Sequence, residues 1–294
     1  MDHEPGRLRY SIVVPAYNEA DYLHTSVTSL QQQDFDGRYE IIVVDNNSTD
    51  ATSDVARSLG VRVVSESQQG VCSARQRGAE SALGDVLVSV DADTTYPPHW
   101  LRTIDERFAA EPEIIAVAGP CRYENPSWWA KSFPTLLFGL VAGVFATTGF
   151  VGYVSATNIA MRRSAFPGYN TSMTQGGDEL DLLRRLRRRG KVVWDHHNVV
   201  ATSARRVQRG LLYNLFVSVF VYYLLGYWLN RLVGYRAIGM APAFRQGLKI
   251  THAPPRRRVA LGVMALAVGV TSLSLVRFVG PEAFAELNEF WNSP

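Results

Sequence analysis

The sequence contains very little cysteine and only a modest share of charge. Two of its 294 residues are cysteine, Cys72 and Cys121, which is too few for a disulfide framework or a cysteine-rich zinc site, so we expect a reducing compartment. Charged residues make up 19% of the chain and hydrophobic residues 47%, a balance that excludes a disordered protein. The first ten residues, MDHEPGRLRY, contain no apolar run, so we expect no cleavable signal peptide and a cytoplasmic start.

Lysine is rare, and glycine-rich phosphate loops do not follow the first predicted strand. Only three of the 30 basic residues are lysine, so most of the positive charge is arginine, which suits bidentate phosphate contacts and also solvated helix faces. The net charge of +3 is too small to predict nucleic-acid binding. Where G-x-G-x-x-G or G-x-x-x-x-G-K-[ST] would hold a nucleotide, the chain has PAYNE. A bound nucleotide must therefore be held by another chemistry.

Apolar runs alternate with amphipathic stretches over the first hundred residues. The runs predict strands at 10–14, 40–44, 61–64 and 85–90, and the stretches predict helices at 19–33, 51–59 and 71–83. Strands that alternate with helices are typical of an α/β fold with a mostly parallel sheet. Such sheets bind ligands at the carboxyl ends of their strands, so the residues after each strand are the first candidates for a site.

The rest of the chain predicts further elements and then two apolar segments. We expect a strand at 114–118, a helix and then a strand across the uncharged stretch 132–161 (a membrane span being the alternative), a charged helix at 178–189 that ends at Gly190, and a strand at 191–194. Residues 211–230 reach the roughly 20 residues that a bilayer span needs, and 259–276 are slightly shorter. Only positive charges lie between the two segments, and if both segments crossed the membrane this basic loop would lie outside, against the positive-inside rule. We therefore expect an interfacial or re-entrant helix at 211–230 and a crossing or docking helix at 259–276.

Two aspartates, Asp91 and Asp93, follow the fourth predicted strand. Carboxylates this close repel each other unless a cation lies between them, and Mg²⁺ binds through one or two carboxylates together with substrate phosphates. An ordinary acidic turn is the alternative. His196 or His197, after a later strand, is a candidate for a further metal ligand, although a single histidine is more often structural.

Other charged residues stand at the ends of predicted elements. Asp45 follows the second strand, where it can accept a hydrogen bond from a base or ribose hydroxyl, or can belong to an Asx-rich turn that caps the next helix. Asp178 and Glu179 open the charged helix, which suits a catalytic base and equally suits the helix dipole. Arg75 and Arg77 precede the fourth strand and are candidates for a diphosphate contact.

Six motifs are spread over about residues 8–210: VVPAYNE, VVDNNSTD, VSVDADTTYPP, GYVSATNIAMRR, GGDELDLLRRLRRRG and TSARR. Together they make the chain resemble the family 2 inverting glycosyltransferases of GT-A fold. The resemblance implies an α/β, Rossmann-like GT-A fold, in which a mostly parallel central sheet is flanked by helices. We accordingly predict a catalytic domain over 1–210, an interfacial or re-entrant helix and basic loop over 211–258, and a C-terminal transmembrane or docking helix with an acidic tail over 259–294.

The resemblance also assigns roles to individual residues. The catalytic pair is Asp178 and Glu179, and because the family's Glu-Asp order is reversed here, either can be the base. The nucleotide-binding residues are Pro15, Ala16, Tyr17, Glu19, Asp45, Asn47, Arg75 and Asp91. The ligands of Mg²⁺ or Mn²⁺ are Asp91 and Asp93, with His197 as the further candidate, and the diphosphate contacts are Arg205 and Arg206. The Gln-x-x-Arg-Trp motif of processive members is absent, so we expect the transfer of a single sugar.

These implications combine into one expected function. The protein would move one sugar from a nucleotide-diphosphate sugar to an acceptor at the cytoplasmic face of the cell membrane, with a metal ion that neutralises the departing nucleoside diphosphate. The apolar segments and the basic loop favour a polyprenyl (dolichyl) phosphate or a lipid-linked glycan as acceptor. A GT-A-like nucleotidyltransferase and a catalytically inactive membrane scaffold are the alternatives. PAYNE in place of a glycine- and lysine-rich loop argues against the first, and the retained acids argue against the second.

Overall fold

The computed structural model describes residues 7–124, 128–172 and 178–205, together with Leu225. The strands within these ranges are β1 (Tyr10–Ala16), β2 (Tyr39–Asp45), β3 (Arg62–Ser65), β4 (Val86–Ser89), β5 (Thr94–Thr95), β6 (Ile114–Ala118), β7 (Cys121–Glu124), β8 (Ile159–Arg162), β9 (Lys191–Trp194) and β10 (Val200–Ser203). The α-helices are α1 (Ala20–Gln31), α2 (Thr52–Ser58), α3 (Val71–Ser81), α4 (Trp100–Ala110), α5 (Trp128–Thr148) and α6 (Asp178–Arg187).

Seven of these strands form one large sheet in the order β3-β2-β1-β4-β8-β6-β9. All pairs are parallel except those of β8, which runs antiparallel to both β4 and β6. Six strands therefore run in one direction. The predicted α/β fold with a mostly parallel sheet is confirmed.

Both faces of the large sheet are covered by helices. In β1, Ile12 and Val14 belong to the apolar cluster that includes residues of α1, α2 and α4, whereas Val13 belongs to the cluster that includes residues of α3, α5 and α6. Strands that are buried on both faces have near-continuous apolar sequences, which is why the sequence alone located them.

Gly78 allows α3 to lie close to β1. A Cβ atom at this position would lie 2.2 Å from Val13 Cγ1 and 3.0 Å from Val44 Cγ2. We expect Gly78→Ala to lower the free energy of unfolding by about 1–3 kcal/mol, because the added methyl group overpacks the contact; urea unfolding measures the change. Gly139→Ala in α5 is the matched control, since nothing lies within 4 Å of its Cβ position. An equal loss in both variants would contradict the close packing of α3.

A second, three-stranded sheet in the order β5-β10-β7 is absent from the sequence predictions. Its strands contain two to four residues, and β7 places the charged Arg122 and Glu124 on its exposed side. Helix α4 was also missed. The uncharged stretch 132–161 forms most of α5 and then β8, as predicted.

The membrane predictions concern another part of the chain. None of the helices in the described ranges is long and apolar enough to cross a membrane. The segments 211–230 (apart from Leu225) and 259–276 lie outside the described residues, as does Arg206.

Candidate active site

The ends of three neighbouring strands bring predicted residues to one edge of the large sheet. Strands β2, β1 and β4 are adjacent and parallel, and Ala16 at the end of β1 is the register partner of Asp45 at the end of β2. Asp91 follows two residues after β4. Pro15 and Tyr17 flank Ala16, so the PAYNE loop begins at this edge.

Asn18 joins the loops that follow β1 and β2. Its backbone N–H donates to Ser48 Oγ (3.0 Å) and its Nδ2 to Thr49 Oγ1 (3.0 Å), while the Thr49 N–H donates back to Asn18 Oδ1 (2.6 Å). Asn18 and Asn47 have positive φ angles of 52° and 65°, a conformation that asparagine adopts more readily than most residues. The PAYNE and DNNSTD loops therefore form one connected surface. Asn18 is not among the predicted site residues, although an asparagine in a loop is a signal for this conformation.

Asp45 is held as a carboxylate at this edge. The Ser48 N–H donates to its Oδ1 (3.0 Å), and the Ser53 hydroxyl donates to its Oδ2. Burial alone would raise the pKa of Asp45, but the hydrogen bonds from Ser48 and Ser53 outweigh burial and lower the pKa below its ordinary value. The predicted turn is therefore present, and it keeps the carboxylate charged.

Asn46 organises the loop at residues 66–70 beside Asp45. Its buried side chain donates to the Glu66 and Gln68 carbonyl oxygens (3.0 and 2.8 Å) and accepts from the Gly70 N–H (2.7 Å). Gly70 has a φ of 147°, which favours glycine. This positioning residue was also missed, because its partners are 20 to 24 residues away in the sequence.

Arg75 connects Asp91 to the start of α6. Its guanidinium lies 2.8 Å from Asp91 Oδ1 and 2.9 Å from Asp178 Oδ2. The Arg75 and Asp178 side chains are only 5% and 4% exposed, so Arg75 is buried between two acids, and its contact with a nucleotide stays a prediction. The Thr157 hydroxyl donates to Asp91 Oδ2, and the Asp91 N–H donates to Tyr96 Oη (3.1 Å).

Arg205 forms a second cluster of ion pairs at Asp93. Its guanidinium donates twice to Glu19 (2.7 and 2.6 Å) and lies 2.9 Å from Asp93 Oδ2. Its Cζ lies 4.7 Å from the centre of the Tyr22 ring, within cation–π range. Burial lowers the pKa of Arg205, but Glu19 and Asp93 outweigh burial and raise the pKa above its ordinary value. Glu19, Asp93 and Arg205, which were predicted to bind the nucleotide, the metal and the diphosphate respectively, thus form one cluster.

Glu179 lies beside Asp178 at the start of α6. Its Oε2 is buried and has no hydrogen-bond partner among the described residues. Burial, the charge of Asp178 and a hydrogen bond with Asp178 raise the pKa of Glu179 well above its ordinary value, and the charge of Arg75 offsets them only in part. Asp178, by contrast, is ion-paired with Arg75.

The structure does not bring His197 to the two aspartates. Within the described ranges no group of three His, Cys, Asp or Glu side chains could hold a metal ion. His197 is exposed; its N–H donates to Asp195 Oδ1 (3.0 Å), and its ring lies 3.7 Å from that of His196. The predicted three-residue metal site is therefore not formed. Asp91 and Asp93 still offer hard carboxylate oxygens, and Mg²⁺ needs only one or two of these when substrate phosphates complete its shell.

The structure places this protein in the class of α/β proteins that have acidic residues at the carboxyl ends of a mostly parallel sheet. Comparison with known proteins gives the family. The model of "Glycosyl transferase family 2" matches residues 11–169, which is more than half of the chain. The chain therefore belongs to glycosyl transferase family 2. This confirms the resemblance inferred from the six motifs.

Relatives and solved structures agree with this assignment. The chain is 28% identical to glucosyl-dolichyl phosphate glucuronosyltransferase of Haloferax volcanii (58% of this chain, 59% of the relative) and 35% identical to dolichol-phosphate mannosyltransferase of Pyrococcus furiosus (34% of this chain, 30% of the relative). Each match spans less than two thirds of the relative's length. Mannosyltransferase PcManGT from Pyrobaculum calidifontis, solved in complex with GDP-Man and Mn²⁺, has a similar fold, with a TM-score of 0.60 at 17% identity over 98% of this chain and 82% of that chain. The fold is thus GT-A-like.

Proposed function

We propose that this protein transfers a single sugar from a nucleotide-diphosphate sugar to a polyprenyl (dolichyl) phosphate, or to a lipid-linked glycan, at the cytoplasmic face of the cell membrane. The observation that carries the proposal is the Arg75 bridge, because one buried charge holds Asp91 together with the acidic start of α6. A donor diphosphate near Asp91 and an acceptor near Glu179 would then be neighbours, as a direct displacement requires.

The reaction is a displacement at the anomeric carbon of the sugar. An acceptor oxygen forms the new bond to this carbon from the face opposite the diphosphate, the old carbon–oxygen bond breaks, and the nucleoside diphosphate leaves with the electron pair. Mg²⁺ or Mn²⁺, held by Asp91 and Asp93, would supply stabilisation of the negative charge on the leaving group. The joined loops after β1 and β2 would hold the nucleotide, with the charged Asp45 available to a base or ribose hydroxyl.

A phosphate acceptor is consistent with the raised pKa of Glu179. A polyprenyl phosphate is already ionised at neutral pH and needs no general base, whereas a hydroxyl acceptor does. The environment of Glu179 raises its pKa and so favours the protonated form, in which this carboxyl group can donate a hydrogen bond to an anionic phosphate. The name of dolichol-phosphate mannosyltransferase supports this class of acceptor, whereas the name of glucosyl-dolichyl phosphate glucuronosyltransferase contains a dolichyl phosphate that already carries a sugar and supports the lipid-linked glycan.

Glu179→Gln distinguishes the two kinds of acceptor. Glutamine still donates a hydrogen bond but cannot accept a proton, so we expect transfer to polyprenyl phosphate to stay within about tenfold of the wild type. Transfer to a hydroxyl acceptor that uses Glu179 as its base would instead fall by about 10²–10⁴-fold. The measurement is incorporation of labelled sugar from UDP- and GDP-sugars into lipid extracts with Mn²⁺ or Mg²⁺, on separated membrane and soluble fractions.

The exposed Glu106→Gln in α4 serves as the control and should leave both activities unchanged. Near-complete loss with both acceptors in Glu179→Gln would contradict a phosphate acceptor. Nucleotide-sugar binding without turnover in the wild type would favour a scaffold, and activity confined to the soluble fraction would contradict the membrane location.

A further inference from the structure

We propose that Arg205 is an exchangeable counter-ion. It neutralises Asp93 in the nucleotide-free protein, and it leaves Asp93 for the nucleotide diphosphate when a divalent cation binds. This inference rests on the proposed function, because it assumes a donor that carries a diphosphate.

Both carboxylates of the D-x-D motif already have a positively charged partner. Asp91 is paired with Arg75 and Asp93 with Arg205, and the same two guanidinium groups also pair with Asp178 and Glu19. A divalent cation that approached alone would have to compete with a guanidinium group for each aspartate, and it would offer Arg205 no replacement for Asp93. A cation that arrives with a diphosphate brings compensating negative charge, so the two should bind together much better than the cation alone.

Only one of the two arginines has the freedom to leave its aspartate. Arg75 is 5% exposed, and its other nitrogen is fixed by the buried Asp178. Arg205 is 13% exposed and reaches Asp93 through Nη2 alone, while Nη1 and Nη2 both donate to Glu19. Loss of the Asp93 contact therefore leaves the paired hydrogen bonds to Glu19 in place.

The backbone around Arg205 is already anchored beside Asp93. The Ser203 N–H donates to the Asp93 carbonyl oxygen (3.0 Å), and the Arg205 N–H donates to Ser203 Oγ (3.3 Å). The exchange therefore requires a shift of side chains and no movement of β10. A guanidinium is well suited to the new partner, since its planar fork matches phosphate oxygens.

Mn²⁺ binding to the full-length protein tests the exchange without any turnover. Electron paramagnetic resonance measures bound and free Mn²⁺ in the presence and absence of GDP or UDP. In the wild type we expect either nucleotide to tighten Mn²⁺ binding by about tenfold or more, within the 5–150-fold range of typical coupling between sites. In Arg205→Gln we expect tighter Mn²⁺ binding without nucleotide and weaker nucleotide binding. The factor by which nucleotide tightens Mn²⁺ binding should be smaller than in the wild type.

The controls separate an exchangeable partner from a fixed one. Arg184→Gln, which changes an exposed residue of α6, should behave as the wild type. If Arg205 only orients Asp93, Arg205→Gln will weaken Mn²⁺ binding with and without nucleotide, and the inference is overturned. Equal Mn²⁺ affinity of the wild type with and without nucleotide also overturns it and depends on no variant. A wild type that binds neither nucleotide contradicts the proposed function itself, whereas binding without coupling contradicts only the exchange.

Discussion

Asp93→Asn is expected to reduce sugar transfer by about 10²–10³-fold, the loss typical when one group that stabilises transition-state charge is removed. Asparagine keeps the size of the side chain but removes the negative charge that would hold the divalent cation. The fold should persist, because Arg205 retains both hydrogen bonds to Glu19. Steady-state kcat/KM with a saturating acceptor measures the effect.

The exposed Asp54→Asn in α2 is the control for removal of one carboxylate and should leave kcat/KM unchanged. Urea unfolding should show a change of less than about 1 kcal/mol for both variants. Activity of Asp93→Asn within tenfold of the wild type would contradict a role for Asp93 at the diphosphate.

Arg75→Met is expected to lower the free energy of unfolding by about 3–5 kcal/mol, the cost of removing one partner from a buried ion pair. Asp178, with 4% of its side chain exposed, would be left without its counter-ion inside the protein. The double variant Arg75→Met/Asp178→Asn should lose less than the sum of the two single variants, since it removes both charges. Urea or thermal unfolding measures all three variants.

Arg77→Met is the matched control on the same helix. Arg77 is exposed, so its replacement should change the free energy of unfolding by no more than about 0.5 kcal/mol. Equal losses in Arg75→Met and Arg77→Met would show that the bridge from Asp91 to α6 does not stabilise the fold.

The large sheet was predictable because its strands are buried on both faces. The apolar runs at 10–14, 40–44 and 85–90 coincide with β1, β2 and β4 to within two residues at each end. The small sheet was not predictable, because β5 is only two residues long and β7 alternates partly buried and exposed residues, two of them charged. Such short segments become strands only through their neighbours in space.

The candidate site was also only partly predictable from the sequence. Asp45, Asp91 and Asp93 were found because they follow strands of a parallel sheet, and the carboxyl ends of such strands meet at one edge. Thr157, which donates to Asp91, lies 66 residues away from it in the sequence. No local pattern reveals a partner at that separation.

The sequence by itself determined the α/β fold, the edge of the sheet at which the site lies, and the family, because apolar periodicity and local motifs are properties of neighbouring residues. Only the tertiary structure decided which charges neutralise each other. It placed Arg75 between Asp91 and Asp178, which is 103 residues away, placed Arg205 between Glu19 and Asp93, and kept His197 away from the aspartates. The reason is physical: the strength of an ion pair depends on distance and burial, and folding alone sets both.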